Sequence, residues 1–167
     1  SLVSSLIEHE QDVKFLVVPH EIDAVTLREV QEKIPAKSLL YTECTADTDF
    51  TDVQVLVVNI LGSLSRIYRY GNWAYVGGGF TAYLHSVIEP AVYGIPVAFG
   101  PRIERKTTPK EMVYRGIGAI VTTPEGLCHW FNQVREVREQ EDVKSRATAF
   151  IEANANFTQK VCANIEQ

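Results

Sequence analysis

The chain has 167 residues, 46% of them apolar and 22% charged, with a formal net charge of −5. That length suits one domain with a sizeable core, and the acidic balance supplies no basic field of the kind that draws nucleic acid. No apolar run approaches the ~18 residues of a membrane span, and no signal-peptide pattern opens the chain. The three cysteines, Cys44, Cys128 and Cys162, are far apart and form no C-x-x-C. They suit a reducing cytosol and argue against zinc or a disulfide framework, so neither a metal nor a cofactor is expected. The chain opens at Ser1 and its single methionine is Met112, as in a piece cut or processed from a larger protein.

Residues Ser1 to His9 carry Leu2, Leu6 and Ile7 at helical spacing. Val13 to Val18 (VKFLVV) reads as a buried strand, with Pro19, His20 and Glu21 at its C-terminal end. Taken alone, His20 and Glu21 simply begin the next helix, whose apolar stripe is Ile22, Val25, Leu27, Val30 and Ile34 and whose end is Pro35. Ser38 to Tyr41 is a second strand, Thr42 to Asp52 a polar surface loop, and Val53 to Val58 (VQVLVV) a third strand. Gly62 follows it, and Leu64, Ile67 and Tyr68 mark a short helix.

Trp73 to Pro101 is the densest stretch: WAYVGGGFTAYLHSVIEPAVYGIPVAFGP. Trp73 to Val76 is a short apolar strand, Gly77, Gly78 and Gly79 follow at once, a helix ends near Gly94, and Ile95 to Phe99 is another strand closed by Gly100 and Pro101. This is a βαβ unit with a glycine-rich loop at the C-terminal end of its first strand, where open parallel sheets bind ligands and a helix N-terminus favours anions. G-G-G is also a common plain turn, and it is not the G-x-G-x-x-G of dinucleotide binders. Ser86-Val87-Ile88-Glu89 fits a capping box; a capping Glu89 and a ligand-binding Glu89 are both open at this point.

After Pro101 come Arg102, Glu104, Arg105, Lys106 and Thr107, with Lys110 and Arg115 behind. These cations stand where they would meet a phosphate or a sugar carboxylate, but a run of this kind is more often a solvated face, and that reading is preferred. Thr108-Pro109 starts a helix with proline at its first position, ended by Gly116 and Gly118. Ala119 to Val121 is a last strand. Thr123-Pro124-Glu125 opens a helix whose core face is Trp130, Phe131 and Val134. Val143, Ala147, Phe150, Phe157, Val161 and Ile165 form the stripe of a closing helix. Asn156-Phe157-Thr158 matches the glycosylation sequon, here by chance. About six strands alternating with helices give an α/β fold with a parallel sheet and right-handed crossovers.

The residues Ala74, Val76, Gly77, Gly78, His85, Ile88, Glu89, Pro90, Ala91, Gly94, Pro96, Val97, Gly100 and Pro101 follow an ordered pattern. In that pattern the chain resembles the C-terminal half of the bacterial 3-deoxy-D-manno-octulosonic acid (Kdo) transferases. Gly79 stands for the family's Ser, Tyr83-Leu84 for a glycine pair and Ser86 for an Asn. At Pro19-His20-Glu21 the family has P-R-H, and at Asn59 to Leu64 it has D-T-M-G-E-L, matched outright at Gly62 and Leu64. The Asn-Phe pair usual after the G-P is absent.

The resemblance implies a Rossmann-like parallel sheet flanked by helices, the nucleotide-sugar (donor) half of a GT-B glycosyltransferase, with residues 1–167 as that one domain and the acceptor domain outside the chain. It implies transfer of Kdo from CMP-Kdo to a lipid A precursor by inverting displacement of CMP, in lipopolysaccharide biosynthesis. The donor site would comprise His20, Glu21, Gly62, Gly77, Gly78, Gly79, His85, Ser86, Ile88 and Glu89, with Glu89 on the ribose and backbone N–H groups of the glycine loop on the phosphate. The general base would lie in the other half, so no catalytic residue is assigned here and the fragment alone is not expected to turn over. The fragment would be cytoplasmic, the whole enzyme at the cytoplasmic face of the inner membrane, with membrane and acceptor contacts through the other domain. Other readings are a UDP-sugar enzyme of the same architecture and a non-catalytic nucleotide- or protein-binding α/β module. Against a response-regulator-like module, the first strand is followed by Pro19-His20-Glu21 rather than by paired acidic residues.

Overall fold

The computed structural model describes residues 2–81 and 83–155. They form six strands of three residues each, all parallel, in two sheets of three rather than in one. By their contacts they fall into two compact units, residues up to 66 with 123–128, and 67–122 with the described chain from 129.

In the first unit, α1 (Leu2–His9), β1 (Phe15–Val17), α2 (Ala24–Glu32), β2 (Ser38–Leu40) and β3 (Val55–Val57) follow in order. β3 is the central strand, with Val17 and Leu40 both in register with Val57. Its Val55 and Val57 are fully buried and pack with Ile7 and Leu27. Helix α2 starts at Ala24 rather than Ile22 because Asp23 caps it: the carboxylate Oδ1 accepts the Val25 and Thr26 N–H groups, each at 3.0 Å. Those bonds, led by the one from the Thr26 hydroxyl, hold the Asp23 carboxyl below its usual range. The buried Gln54 side chain donates to the carbonyls of Ile7 (3.0 Å) and Glu10 (2.8 Å), tying the end of α1 to β3. Both hydrogens of its amide nitrogen thereby find acceptors. The polar loop expected from Thr42 begins with a 3₁₀ turn at Tyr41–Glu43. Asn59 holds that turn, accepting the Thr42 N–H (3.1 Å) and donating to its hydroxyl (2.8 Å).

In the second unit, β4 (Ala74–Val76), β5 (Val97–Phe99) and β6 (Gly118–Ile120) form the other sheet in sequence order. All three residues of β5 are fully buried, as the continuous apolar run requires. Between the strands lie α4 (Ile88–Val92) and α5 (Thr107–Tyr114). Phe99, Met112, Ile117, Val143, Ala147 and Phe150 lead the core, the last three from α7 (Val137–Ala155). Trp73 lies just outside β4: its indole N–H donates to the Val134 carbonyl (2.9 Å) and its ring meets Phe131 edge-on at 4.8 Å.

Helix α3 spans Leu64–Ile67 and α6 spans Pro124–Val134, the latter with the expected proline start. Helix α5 begins at Thr107, so Pro109 is its third residue rather than its first. Phe157, Val161, Ile165, the sequon and Cys162 lie outside the described residues. No described helix is long and apolar enough to cross a membrane.

Candidate functional site

Each sheet gathers the expected residues at the C-terminal ends of its strands. In the first unit, His20 and Glu21 follow β1 and Gly62 follows β3. Since β1 and β3 are parallel neighbours, the two loops leave the same sheet edge. All three residues are exposed. Gly62 sits at φ 72°, a left-handed turn with open space around it, so conformation rather than crowding calls for glycine there.

In the second unit the glycine loop is filled by its own chain. The Gly79 N–H donates to the Tyr83 carbonyl at 2.6 Å, and Gly78 pairs with Leu84 in an isolated antiparallel bridge. Gly78 is at φ 92° and Gly79 at φ 76°. A Cβ on Gly78 would stand 2.3 Å from the Tyr83 oxygen, and one on Gly79 2.9 Å from the Gly100 oxygen. The Arg102 N–H donates to the Gly79 carbonyl (2.8 Å), so the G-G-G and G-P turns are two backbones in close approach. Only Gly77 is open to a ligand: it is exposed, has no positive φ, and nothing lies within 4 Å of its Cβ position.

The helix expected straight after the glycines is short and late. Helix α4 has five residues, its N-cap is Val87, and no side chain caps it. Ser86 and Glu89 therefore do not form the capping box, because the chain turns helical only after Val87 is buried against the core. Gly94, at φ 72°, ends this helix as expected. Glu89 is half-buried in the first turn of α4. Its carboxylate lies near Tyr68, whose phenol is pushed up to about 12, by burial first and by this negative charge second.

A cleft of about 370 Å³ opens beside these elements. One wall is Leu84 to Ile88 and the other is Arg105 to Pro109, the start of α5. It takes in the expected His85, Ser86 and Ile88, but not Gly77, Gly78, Gly79 or Glu89. Arg105, Lys106, Thr107 and Thr108 are the residues that sequence reasoning set aside. Their signal was the cation run just past a strand's C-terminal end, and only the packing shows that it borders a cleft. Helix α5 has Lys106 at its N-cap with no side-chain cap, so its first amides have no partner from that side chain.

The fold is α/β, parallel strands alternating with helices. It matches a solved structure, the C-terminal CMP-Kdo binding domain of WaaA from Acinetobacter baumannii, with a TM-score of 0.74 at 17% identity over 89% of this chain and 80% of that one. In sequence, the chain is 30% identical to the 3-deoxy-D-manno-octulosonic acid transferase of Chlamydia pneumoniae over 121 residues, 71% of the chain. It is 25% identical to the enzyme of the same name from Aquifex aeolicus over 138 residues, 81% of the chain. No protein-family model matches. The chain is a relative of the Kdo transferases with the fold of their C-terminal domain, as the residues between Trp73 and Pro101 imply. The matches span 26% and 37% of the length of those two relatives.

Proposed function

We propose that this chain is the donor-binding domain of a Kdo transferase, holding CMP-Kdo while a domain outside these residues presents a lipid A precursor and the general base. The observation that carries this reading is the agreement of the two comparisons: sequence relatives that are Kdo transferases, and a fold shared with a domain that binds CMP-Kdo in its own enzyme. In this reading the ligand lies along the C-terminal edges of the strands, with Gly77 as the open point of the glycine loop and Glu89 on the ribose. Of the other expected residues, His20, Glu21, Gly62, His85, Ser86 and Ile88 belong to the same proposal as contacts, whereas Gly78 and Gly79 shape the loop by packing on their own chain. Departure of CMP leaves a phosphate that hydrogen-bond donors and cations must stabilise.

The test is thermal shift with CMP, UMP and UDP. An open site screened by water should bind CMP near the millimolar range, about −4 kcal/mol. Ten millimolar ligand against a millimolar Kd then adds about 1.4 kcal/mol of stability, a few degrees in melting temperature. A larger shift with UMP or UDP than with CMP would transfer the reading to a UDP-sugar enzyme. Incubated with CMP-Kdo and acceptor, the chain alone should release no CMP; turnover would place the base among its own carboxylates, with Glu21, Glu89 and Glu104 first.

A further inference from the structure

The cleft between residues 84–88 and 105–109 carries a charge pattern opposite to that of the whole chain. The chain bears a net charge of −5, yet the ten residues lining the cleft include Arg105, Lys106 and His85 and no carboxylate. Among the described residues, neither Arg105 nor Lys106 forms an ion pair; the three that occur each join residues four apart in sequence, Arg28 with Glu32, Lys33 with Glu29 and Arg115 with Glu111.

The walls are also held in place. Leu84 and Val87 are buried on one side, and Ile103 and Pro109 on the other. The Lys106 N–H donates to the Ile103 carbonyl at 2.9 Å, and the Lys110 ammonium donates to the Glu104 carbonyl. The segment carrying the two cations is thus fastened before and after them. Two cations on an anchored backbone segment, neither in an ion pair among the described residues, beside the hydroxyls of Ser86, Thr107 and Thr108 make a receptor for an oxyanion.

We infer that this cleft binds the anionic part of the donor, a phosphate or a sugar carboxylate, with Arg105 and Lys106 as the charged contacts. The inference rests on the donor-binding reading, and it assigns the anion to side chains of the loop after β5, whereas the Gly79 amide is already committed to Tyr83.

The experiment compares wild type with the double variant Arg105→Gln, Lys106→Gln, titrated with cytidine, CMP and CMP-Kdo. Both side chains are exposed, so the variant should melt with wild type. The expected result is cytidine binding unchanged and CMP binding weakened about tenfold, the loss of a charge-assisted contact. A loss seen with CMP-Kdo but not with CMP would instead assign the cleft to the sugar carboxylate and still support it. Equal affinities of variant and wild type for all three ligands would overturn the inference. Should wild type bind none of them, the donor reading fails separately. The cleft is then judged by amide shifts on adding inorganic pyrophosphate: shifts confined to residues 105–108 and lost in the variant support an anion site, and their absence overturns it.

Discussion

Alanine at Gly78 and alanine at Gly77 should have opposite consequences, although the two residues are neighbours in one loop. At Gly78 the backbone is at φ 92° and the new Cβ would stand 2.3 Å from the Tyr83 carbonyl oxygen. A non-glycine residue held in that region costs about 1–3 kcal/mol. Moving the Tyr83 carbonyl aside also breaks its 2.6 Å bond from the Gly79 N–H, worth about 1 kcal/mol. The sum is about 2–4 kcal/mol, or roughly 5–15 °C in melting temperature for a chain of this size. Gly77 has no positive φ and open space at its Cβ position. Alanine there should leave stability unchanged or raise it by about 0.4–1 kcal/mol through the unfolded state, while its methyl meets any ligand lying on the loop. Melting followed by circular dichroism, with a CMP titration of each variant, reads both effects. A Gly78→Ala protein that melts within about a degree of wild type would refute the loop geometry. A Gly77→Ala protein that binds CMP like wild type would remove the loop from the donor site.

Glu89→Gln should weaken CMP binding by ~1–3 kcal/mol, as for a charged hydrogen bond lost, with little change in melting, because Glu89 takes no part in a capping box; unchanged affinity with a lowered melting temperature would leave it a structural role only. The Tyr68 phenol, pushed up to about 12, should ionise well above an ordinary tyrosine. Its neutral form is the one the fold prefers, so its contribution to stability is complete below the unfolded value of about 10 and is lost as pH climbs from there to about 12. Tyrosinate absorbance against pH checks this. Glu89→Gln should lower that transition by removing the nearby negative charge, and Tyr68→Phe should abolish it.

The elements were legible because their signals are local. VKFLVV, VQVLVV and VAF are apolar runs that form strands as expected, but burial differs: VAF is wholly buried, whereas the strand in VKFLVV is only half-buried, with Leu16 exposed; Thr123-Pro124 and Gly94 mark helix ends by backbone chemistry that acts at one residue. The misreadings are of another kind. Ser86 and Glu89 have capping-box spacing, yet the helix begins after Val87, whose side chain is drawn into the core with Leu84 and Ala91. Tertiary burial there overrides a local preference of about one kilocalorie. Nor does periodicity state which strands share a sheet: six parallel strands were expected in one, and they pair as three and three.

The glycines show why a site is harder to read than a fold. Three consecutive glycines announce that the backbone must come close to something, but not to what. For Gly78 and Gly79 the partner is the chain itself, the Tyr83 carbonyl and the Gly100 backbone. Their close approach leaves Gly77 as the open position. The cations of Arg105 and Lys106 present the reverse problem. A charge run reads as a solvated surface unless something removes its counter-charges and gives it a wall. Burial of Ile103 and Pro109 does this: it holds the run against the Leu84 to Ile88 segment, which offers no carboxylate to the cleft. Glycines that pack on their own chain and cations that lack partners are indistinguishable from the usual turn and the usual surface until the backbone is folded. Both become informative through one contact, the Arg102 N–H on the Gly79 carbonyl, which joins the two loops.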